Sequence, residues 1–353
     1  MKHCIRCLNN ETVRNIRFSP EGVCNYCENY DKIANKLQDR AAMHQLFQER
    51  IDRVRGKYDY DAAVGISGGK DSMYVLYKLV NDYGLKVKTF TMLNGFFSKS
   101  ARNNVDRMVK EFGVEHEYIS FDPALRKRFF RYSVQHFLTP CIACSYLGYA
   151  AMINYTAKIN AGMCIHGRSP QQMLRHYGED VFTGFVDAGL QSPEQTDPNA
   201  LYAELLRMTE KKLDKGLASD VKEMLYHGVK QNDFREFTAF FLYHPYDEQQ
   251  IVNFLREHTS WTPDADYDHY DCKIHHAAHF IYQCAEGRPH CLPEVSVSVR
   301  MGQLTRRQGM RLVQRAFYRE KPRNEMRLLC HALQVHETPI RLKAWIYRNF
   351  ITK

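Results

Sequence analysis

The chain has 353 residues, 44% of them hydrophobic, which is enough for two domains, or one domain with additions, around a sizeable core. Charged residues make up an ordinary 25%. No apolar run approaches the roughly eighteen residues of a membrane span, and "MKHCIRC" lacks the apolar core of a signal peptide, so a cytoplasmic location is the expectation. The net charge of +9 is uneven: from Arg300 to Lys353 there are 13 Lys or Arg against 3 acidic residues. That tail reads as a nucleic-acid footprint, a docking face for an acidic partner, or a solvated basic helix surface.

Residues 1–30 are rich in cysteine and turn formers, and residues 31–56 read as a polar connecting helix. Strand and helix signals then alternate. "YDAAVGIS" (60–67) is a strand, and "DSMYVLYKLVNDYG" a helix that Gly84 caps. "KVKTFTML" is a strand, "KSARNNVDRMVKEFG" a helix ending at Gly113, and "EHEYISF" a strand. A basic stretch, "RKRFFR" (126–131), precedes a helix containing "CIACSYLGYAAMINYTAKINAG" and a short strand, "MCIHG", that ends at Gly167. The stretch reads as a solvated turn or a contact for an anionic substrate. Such alternation predicts an α/β fold, a doubly wound parallel sheet with right-handed crossovers, spanning residues 57–175. Residues 176–245 carry turn and helix signals and read as a helical insertion; residues 246–353 read as a basic helical C-terminal region.

The first strand runs into Ser67-Gly68-Gly69-Lys70-Asp71-Ser72. Ligands of open parallel sheets bind at the carboxyl ends of the strands. Two glycines there allow a tight turn and a close backbone approach. The following helix directs free N–H groups and a partial positive charge into the turn, which makes an anion cradle. Ser67 and Ser72 add hydroxyls, and Lys70 adds a mobile charge. A Walker A loop is excluded, because Lys70 is followed by Asp71 rather than Ser or Thr.

This stretch resembles the PP-loop of the ATP-pyrophosphatase superfamily, whose signature is Ser-Gly-Gly-x-Asp-Ser. The resemblance implies a PP-loop fold that holds ATP by its pyrophosphate, transfers AMP to a substrate oxygen and releases pyrophosphate. Ser67, Lys70 and Ser72 would then hold phosphate oxygens, with Gly68 and Gly69 in the turn, and Asp71 would help place Mg²⁺. Met92 to Gly95, at the end of the second strand, would meet adenine, and Gly167, at the end of the fourth, would approach the nucleotide.

Cys4-x-x-Cys7 and Cys24-x-x-Cys27 have the spacing of a four-thiolate zinc ribbon, a staple for a segment with little core of its own. Their surroundings resemble the N-terminus of the N-acetyl-sugar amidotransferase-like branch of PP-loop proteins. Asp271-Cys272 and the pattern Arg300-x-Gly302-x-x-x-Arg306 resemble late elements of that branch. Cys141-x-x-Cys144 resembles instead a pair carried by PP-loop tRNA thiolases, which binds an iron–sulfur cluster or carries sulfur. The residues leave three readings of Cys141 and Cys144 open: buried structural thiols, nucleophilic or persulfide chemistry aided by a helix N-terminus that lowers thiol pKa, and iron–sulfur ligation. A cluster needs a third thiolate, for which Cys164 and Cys272 are candidates. If "DCKIHHAAH" is helical, Cys272, His275, His276 and His279 share one face, either as a metal site or as a packed polar stripe.

The leading expectation is therefore an enzyme that adenylates a carbonyl or lactam oxygen and replaces it with sulfur carried by Cys141 or Cys144. Lys70 and Asp71 would be the other catalytic residues, and a small molecule, or less readily a tRNA, the acceptor. Sulfur would come from a donor such as a cysteine desulfurase. The alternative is amidotransfer to an N-acetyl sugar, with ammonia from a partner glutaminase; a homodimer is compatible with either.

Overall fold

The alternating segments become one parallel sheet. The computed structural model describes residues 2–169, 171–172, 190–192, 211, 213–226, 235–263 and 271–351. Its strands are β1 (Tyr60–Gly65), β2 (Val87–Met92), β3 (Glu115–Ile119), β4 (Ala161–His166) and β5 (Glu236–Ala239). They lie in the order β3-β2-β1-β4-β5, and every pairing is parallel. The helices named below are α1 (Asn25–Gln38), α2 (Arg40–Val54), α3 (Lys70–Tyr77), α4 (Lys99–Phe112), α5 (Pro123–Phe137), α6 (Cys141–Lys158), α7 (Lys215–Tyr226), α8 (Phe240–Tyr243), α9 (Glu248–His258), α10 (His275–Glu286), α11 (Leu292–Arg300), α12 (Arg306–Arg315), α13 (Arg323–Leu333) and α14 (Glu337–Ile346).

Strand periodicity sends alternate side chains of β1 to opposite faces. Ala62 and Val64 pack with Met73 and Leu76 of α3, Val105 and Met108 of α4, and Phe47 and Ile51 of α2. Ala63 packs on the other face with Phe90 of β2 and with Ala151 and Tyr155 of α6. Helices therefore cover both faces, and the sheet is doubly wound. The strand order changes direction at β1, whose neighbours β2 and β4 lie on opposite sides. That switch point opens a crevice above the carboxyl end of β1. Gly113 caps α4 in a left-handed conformation, where the amphipathic pattern stops.

Four features differ from the sequence reading. β5 lies in a stretch read as helical insertion. It is only four residues long, too short for a period-2 signal, and it forms by pairing with β4. Most of the rest of 176–245 lies outside the described residues; within it α7 packs Leu217 and Val221 against Ala143 and Leu147 of α6. The single helix expected over 31–56 is two, because Asp39 ends α1 and its side chain accepts the Ala42 N–H at 3.0 Å to start α2. Nor is that segment merely a connector. Arg50 of α2, 1% exposed, forms an ion pair with Glu236 of β5. Finally, "RKRFFR" is no turn: Asp122 caps α5 through the Leu125 N–H at 2.7 Å, and burial of Phe129 and Phe130 draws the stretch into that helix.

The C-terminal region is helical. α10, α13 and α14 pack Ile281, Ala285, Leu329, Leu333 and Ile340 against Phe129, Phe130 and Val134 of α5. Among the described residues no helix is long and apolar enough to cross a membrane.

Candidate functional site

The glycine turn sits above β1 at the switch point. Gly68 has φ +77°, and a Cβ there would lie 2.2 Å from the Ala101 carbonyl oxygen, so both the conformation and the space demand glycine. The Gly68 carbonyl is drawn away from the crevice by the Trp261 indole N–H at 3.0 Å and the Asn104 amide at 3.2 Å. The Ser72 hydroxyl accepts the Ser67 backbone N–H at 3.1 Å and donates to the Gly69 carbonyl at 3.1 Å. α3 begins at Lys70, with no side-chain cap on its first N–H groups. The result is a turn with donors facing the crevice, suited to an anion.

Lys70 is nearly buried beside this turn, 3.3 Å from Asp71 and 3.4 Å from Glu248. Burial disfavours its charge, but Asp71, Tyr246 and Glu248 more than offset that, and its pKa lies above the ordinary lysine value. Lys70 is therefore a fixed cation. Asp71 Oδ2 accepts from Gln172 at 2.8 Å, whereas Oδ1 is buried without a hydrogen-bond partner, 3.3 Å from the Lys70 ammonium. That oxygen has a lone pair to offer a hard cation such as Mg²⁺. Gly167 completes this side: a Cβ on it would come within 3.1 Å of the Asp71 and Ser72 backbone.

A cavity of about 330 Å³ opens from the turn. Ser67, Gly69, Lys70, Asp71, Ser72, Met92 and Gly167 line it, and Cys141 and Cys144 line its other side. Gly68 is the one residue of the turn missing from the lining, since it faces α4. Both cysteines lie in the first turn of α6, as Pro140 in the sequence suggests. The side chains of Thr139 and Ser133 take the N–H groups of Cys141 and Ala143, at 3.2 and 3.3 Å, so this helix start is capped from outside.

Cys272 is the third thiol on the cavity wall. It is delivered by an antiparallel bridge to Phe97, flanked by hydrogen bonds from Ser98 N–H to the Asp271 carbonyl at 3.1 Å and from Lys273 N–H to the Phe96 carbonyl at 2.9 Å. The same loop reaches Cys144, whose sulfur accepts from the Asn94 amide at 3.4 Å. Cys164 does not join them. It lies buried within β4, where burial pushes its thiol up to about 12. Of the two candidates, Cys272 lines the cavity and Cys164 does not.

The expected lowering of thiol pKa at the helix start is not seen at Cys144. Burial dominates and pushes it up, against the opposing Asn94 hydrogen bond. Cys272 is pushed up by burial, then by Asp271 and the other two cysteines. These thiols stay protonated near neutrality unless a cation or a reaction partner draws the protons off. Asp271 also lines the cavity; burial pushes its carboxyl up, against the opposing Ser67 hydroxyl. The histidine stripe splits. α10 starts only at His275, which with His279 lines the cavity, while His276 turns to the Tyr318 hydroxyl at 2.6 Å.

The second centre is the N-terminal cysteine cluster. Cys4, Cys7, Cys24 and Cys27 are all fully buried, and among the described residues they are the only group placed to share a metal ion. Neighbouring sulfurs stand 3.6–3.8 Å apart. The Cys24 and Asn9 N–H groups point at sulfurs, at 3.3 and 3.4 Å. Hydrogen bonds among the four thiols couple their ionisation, and those from Cys24 and Cys27 pull Cys4 and Cys7 down. Four thiolates this close repel one another unless a cation lies among them, and four sulfur donors fit zinc. Arg306 Nη1 donates to the Cys4 carbonyl at 2.7 Å and also to the Cys7 carbonyl, and the Arg300 charge helps lower Cys7. The Arg300–Arg306 pattern thus serves this module. Leu8 and Val13 pack on Leu292 and Val295 of α11.

Asn94 falls in the strand end at 92–95 read as an adenine contact, whereas Gln172, Tyr246, Glu248, Trp261 and His166 were not legible as site residues. The only available signal was for His166, which stands immediately before a strand-ending glycine.

The fold and site define a doubly wound α/β protein with an anion cradle and a thiol-lined cavity at its switch point. No protein-family model and no curated protein matches the chain. Solved structures similar to it include the U34-tRNA thiolase NcsA from Methanococcus maripaludis with its [4Fe-4S] cluster, at 12% identity over 89% of this chain and 88% of that one, TM-score 0.37. Also similar are the NH3-dependent NAD synthetase from Campylobacter jejuni, at 13% over 59% and 96%, TM-score 0.31, and the NMN synthetase from Francisella tularensis, at 17% over 70% and 90%, TM-score 0.30. Likenesses this distant leave the functional reading to the residues of the site.

Proposed function

We propose that the chain is an ATP-dependent adenylating enzyme of the PP-loop kind that exchanges a carbonyl or lactam oxygen for sulfur. One observation carries this reading: a single cavity of about 330 Å³ holds both the anion cradle of residues 67–72 and the thiols Cys141, Cys144 and Cys272. Its size suits a small ligand.

In this reading the cradle and Lys70 hold the pyrophosphate end of ATP, and Asp71 Oδ1 holds Mg²⁺. The acceptor oxygen attacks the α-phosphorus, the bond to the β-phosphate breaks, and pyrophosphate leaves with its charge held by Lys70 and the turn. The carbon now bears AMP, a better leaving group than oxygen alone. A persulfide on Cys141 or Cys144 attacks that carbon through its terminal sulfur, and AMP departs. The companion thiol then attacks the carrier sulfur, which releases the thiocarbonyl product and leaves a disulfide for an external thiol to reduce. Cys141, Cys144 and Cys272 line the same cavity and would be the thiolates of an iron–sulfur cluster, which would supply a sulfur-rich redox centre beside the cradle. The acceptor would be a small molecule; the basic tail keeps a tRNA in view, and a desulfurase-type protein would deliver sulfur.

The test uses anaerobically purified protein assayed for ATP binding, iron, labile sulfide and persulfide. Cys141→Ser, Cys144→Ser and Cys272→Ser should lose bound sulfur and keep ATP binding, while Cys164→Ser keeps both. Retention of sulfur and full turnover in all three would sink the reading. A product with nitrogen in place of oxygen would instead support amidotransfer with a partner glutaminase.

A further inference from the structure

The outer face of α12 carries a stripe of arginines that the site does not use. Its inner face is committed to the cysteine cluster. Arg306 donates to the Cys4 and Cys7 carbonyls, and Gly309 packs so closely that a Cβ there would lie 2.8 Å from the Leu8 side chain. Helical spacing then turns Arg307, Arg311 and Arg315, at i, i+4 and i+8, to the opposite side, where all three are exposed. Arg319 follows four residues later, in the loop after α12, and is exposed as well. Among the described residues none of the four takes part in a hydrogen bond or an ion pair, so their charges are unanswered.

Arg311, Arg315, Phe317, Tyr318, Arg319 and Glu320 line a surface groove of about 610 Å³. Among the described residues Glu320 is its one carboxylate. The groove wall is pinned to α10. The Tyr318 N–H donates to Gln283 Oε1 at 2.8 Å, and Gln283 Nε2 donates to the Tyr318 carbonyl at 2.8 Å. The Tyr318 hydroxyl meets His276 Nδ1 at 2.6 Å. Phe317, 45% exposed, is thereby held with nearly half its surface in solvent. A neighbouring groove that carries Lys321 and Arg341 differs, because Glu337 pairs with both, at 3.0 and 3.7 Å. α10 separates the first groove from the cavity of the glycine turn: it bonds to the groove wall through His276 and Gln283 and lines the cavity with His275 and His279. One helix diameter, roughly 10–12 Å, lies between them.

The planar fork of arginine suits phosphate oxygens. Each step from i to i+4 advances about 6 Å along the helix, close to the separation of successive phosphates on an extended strand. An exposed ring beside such a row offers a platform for an unstacked base. An acidic protein surface would answer the charges without calling for their regular spacing, and a second copy of this face would be repelled by it. We propose that this face binds a single-stranded nucleic acid, with Arg307, Arg311, Arg315 and Arg319 on the phosphate backbone and Phe317 stacked on a base. The assignment is independent of the cradle, because no residue of 67–72 takes part in it.

The experiment follows binding of a fluorescently labelled single-stranded oligoribonucleotide to the full chain by anisotropy as salt is raised. Four phosphate contacts predict a slope of log K against log salt of about −2.8, at roughly −0.7 per contact. Arg311→Gln combined with Arg315→Gln should weaken binding at least about tenfold and bring the slope near about −1.4. Phe317→Ala should weaken binding roughly tenfold and leave the slope unchanged. Lys36→Gln combined with Lys110→Gln removes the same charge from exposed positions on α1 and α4 and should stay within about twofold of the wild type. All the substituted side chains are exposed, so thermal melts should match the wild type. Failure of the wild type to bind overturns the proposal, as does an equal loss in the lysine pair or full binding by the arginine pair or by Phe317→Ala. So does competition by poly-glutamate as effective as that of unlabelled oligonucleotide, which would mark the face as a dock for an acidic protein.

Discussion

Replacing Gly68 with alanine tests the cradle most directly. The added Cβ meets the Ala101 carbonyl oxygen at 2.2 Å and its carbon at 2.8 Å. Ala101 cannot give way, because the Ser98 hydroxyl accepts its N–H at 3.0 Å in the first turn of α4. The left-handed φ of +77° adds roughly 1–2 kcal/mol for an L residue. The turn must therefore move, and the Gly68 carbonyl then loses its bonds from Trp261 and Asn104, about 1 kcal/mol each. Strain and lost bonds together come to roughly 3–4 kcal/mol. A displaced turn also withdraws N–H groups from the phosphates; two such charge-assisted bonds at about 1.5–3 kcal/mol each predict a loss of ATP affinity of more than about a hundredfold. Calorimetric titration with ATP, alongside a thermal melt, reads both effects. Gly84→Ala is the control. Its φ is +60°, but a Cβ there meets nothing within 4 Å, so stability should fall slightly and affinity should hold. Normal ATP binding by folded Gly68→Ala would refute the reasoning.

Two further outcomes are expected. Cys4→Ser should lower the zinc content and raise amide exchange in α11 and α12, which pack on the cluster, while α4 stays protected; exchange mass spectrometry decides, and unchanged protection in residues 292–313 counts against a bracing role. Stability should fall on acidification. Burial pushes His166 down to about 3 and His244 down to about 4, both below the ordinary value near 6.5. The unfolded chain therefore takes up these protons first. The stability contribution is complete above about pH 6.5 and is lost as pH falls toward the folded values, by roughly 2 kcal/mol per histidine at pH 5. Urea titrations at pH 7 and pH 5 measure the difference, and His244→Phe should reduce it by about one histidine's share; a flat profile in the wild type contradicts the assignment.

The readings that survived contact with the structure share a property. The glycine turn is six contiguous residues, and what it does depends on its own backbone and on the helix that follows it. The cysteine cluster is two short pairs whose spacing brings four sulfurs within reach of one ion. The strands of β1 to β4 are local apolar runs. In each case the residues that must cooperate are neighbours in the chain, so the pattern is visible without knowing the fold.

The remaining choices needed residues far apart in sequence. The sequence does not tell Cys164 from Cys272 by position; the Phe97↔Cys272 bridge places one on the cavity wall and β4 buries the other. β5 exists because β4 offers it an edge, and "RKRFFR" is helical because two phenylalanines find a core. The direction of the thiol pKa shifts followed the same rule: a helix N-terminus beside Cys144 is a local feature, but desolvation by the surrounding elements outweighs it. Local chain chemistry determined the glycine turn and the four-cysteine cluster. Only packing decided what faces them, because burial and long-range contacts belong to the folded whole.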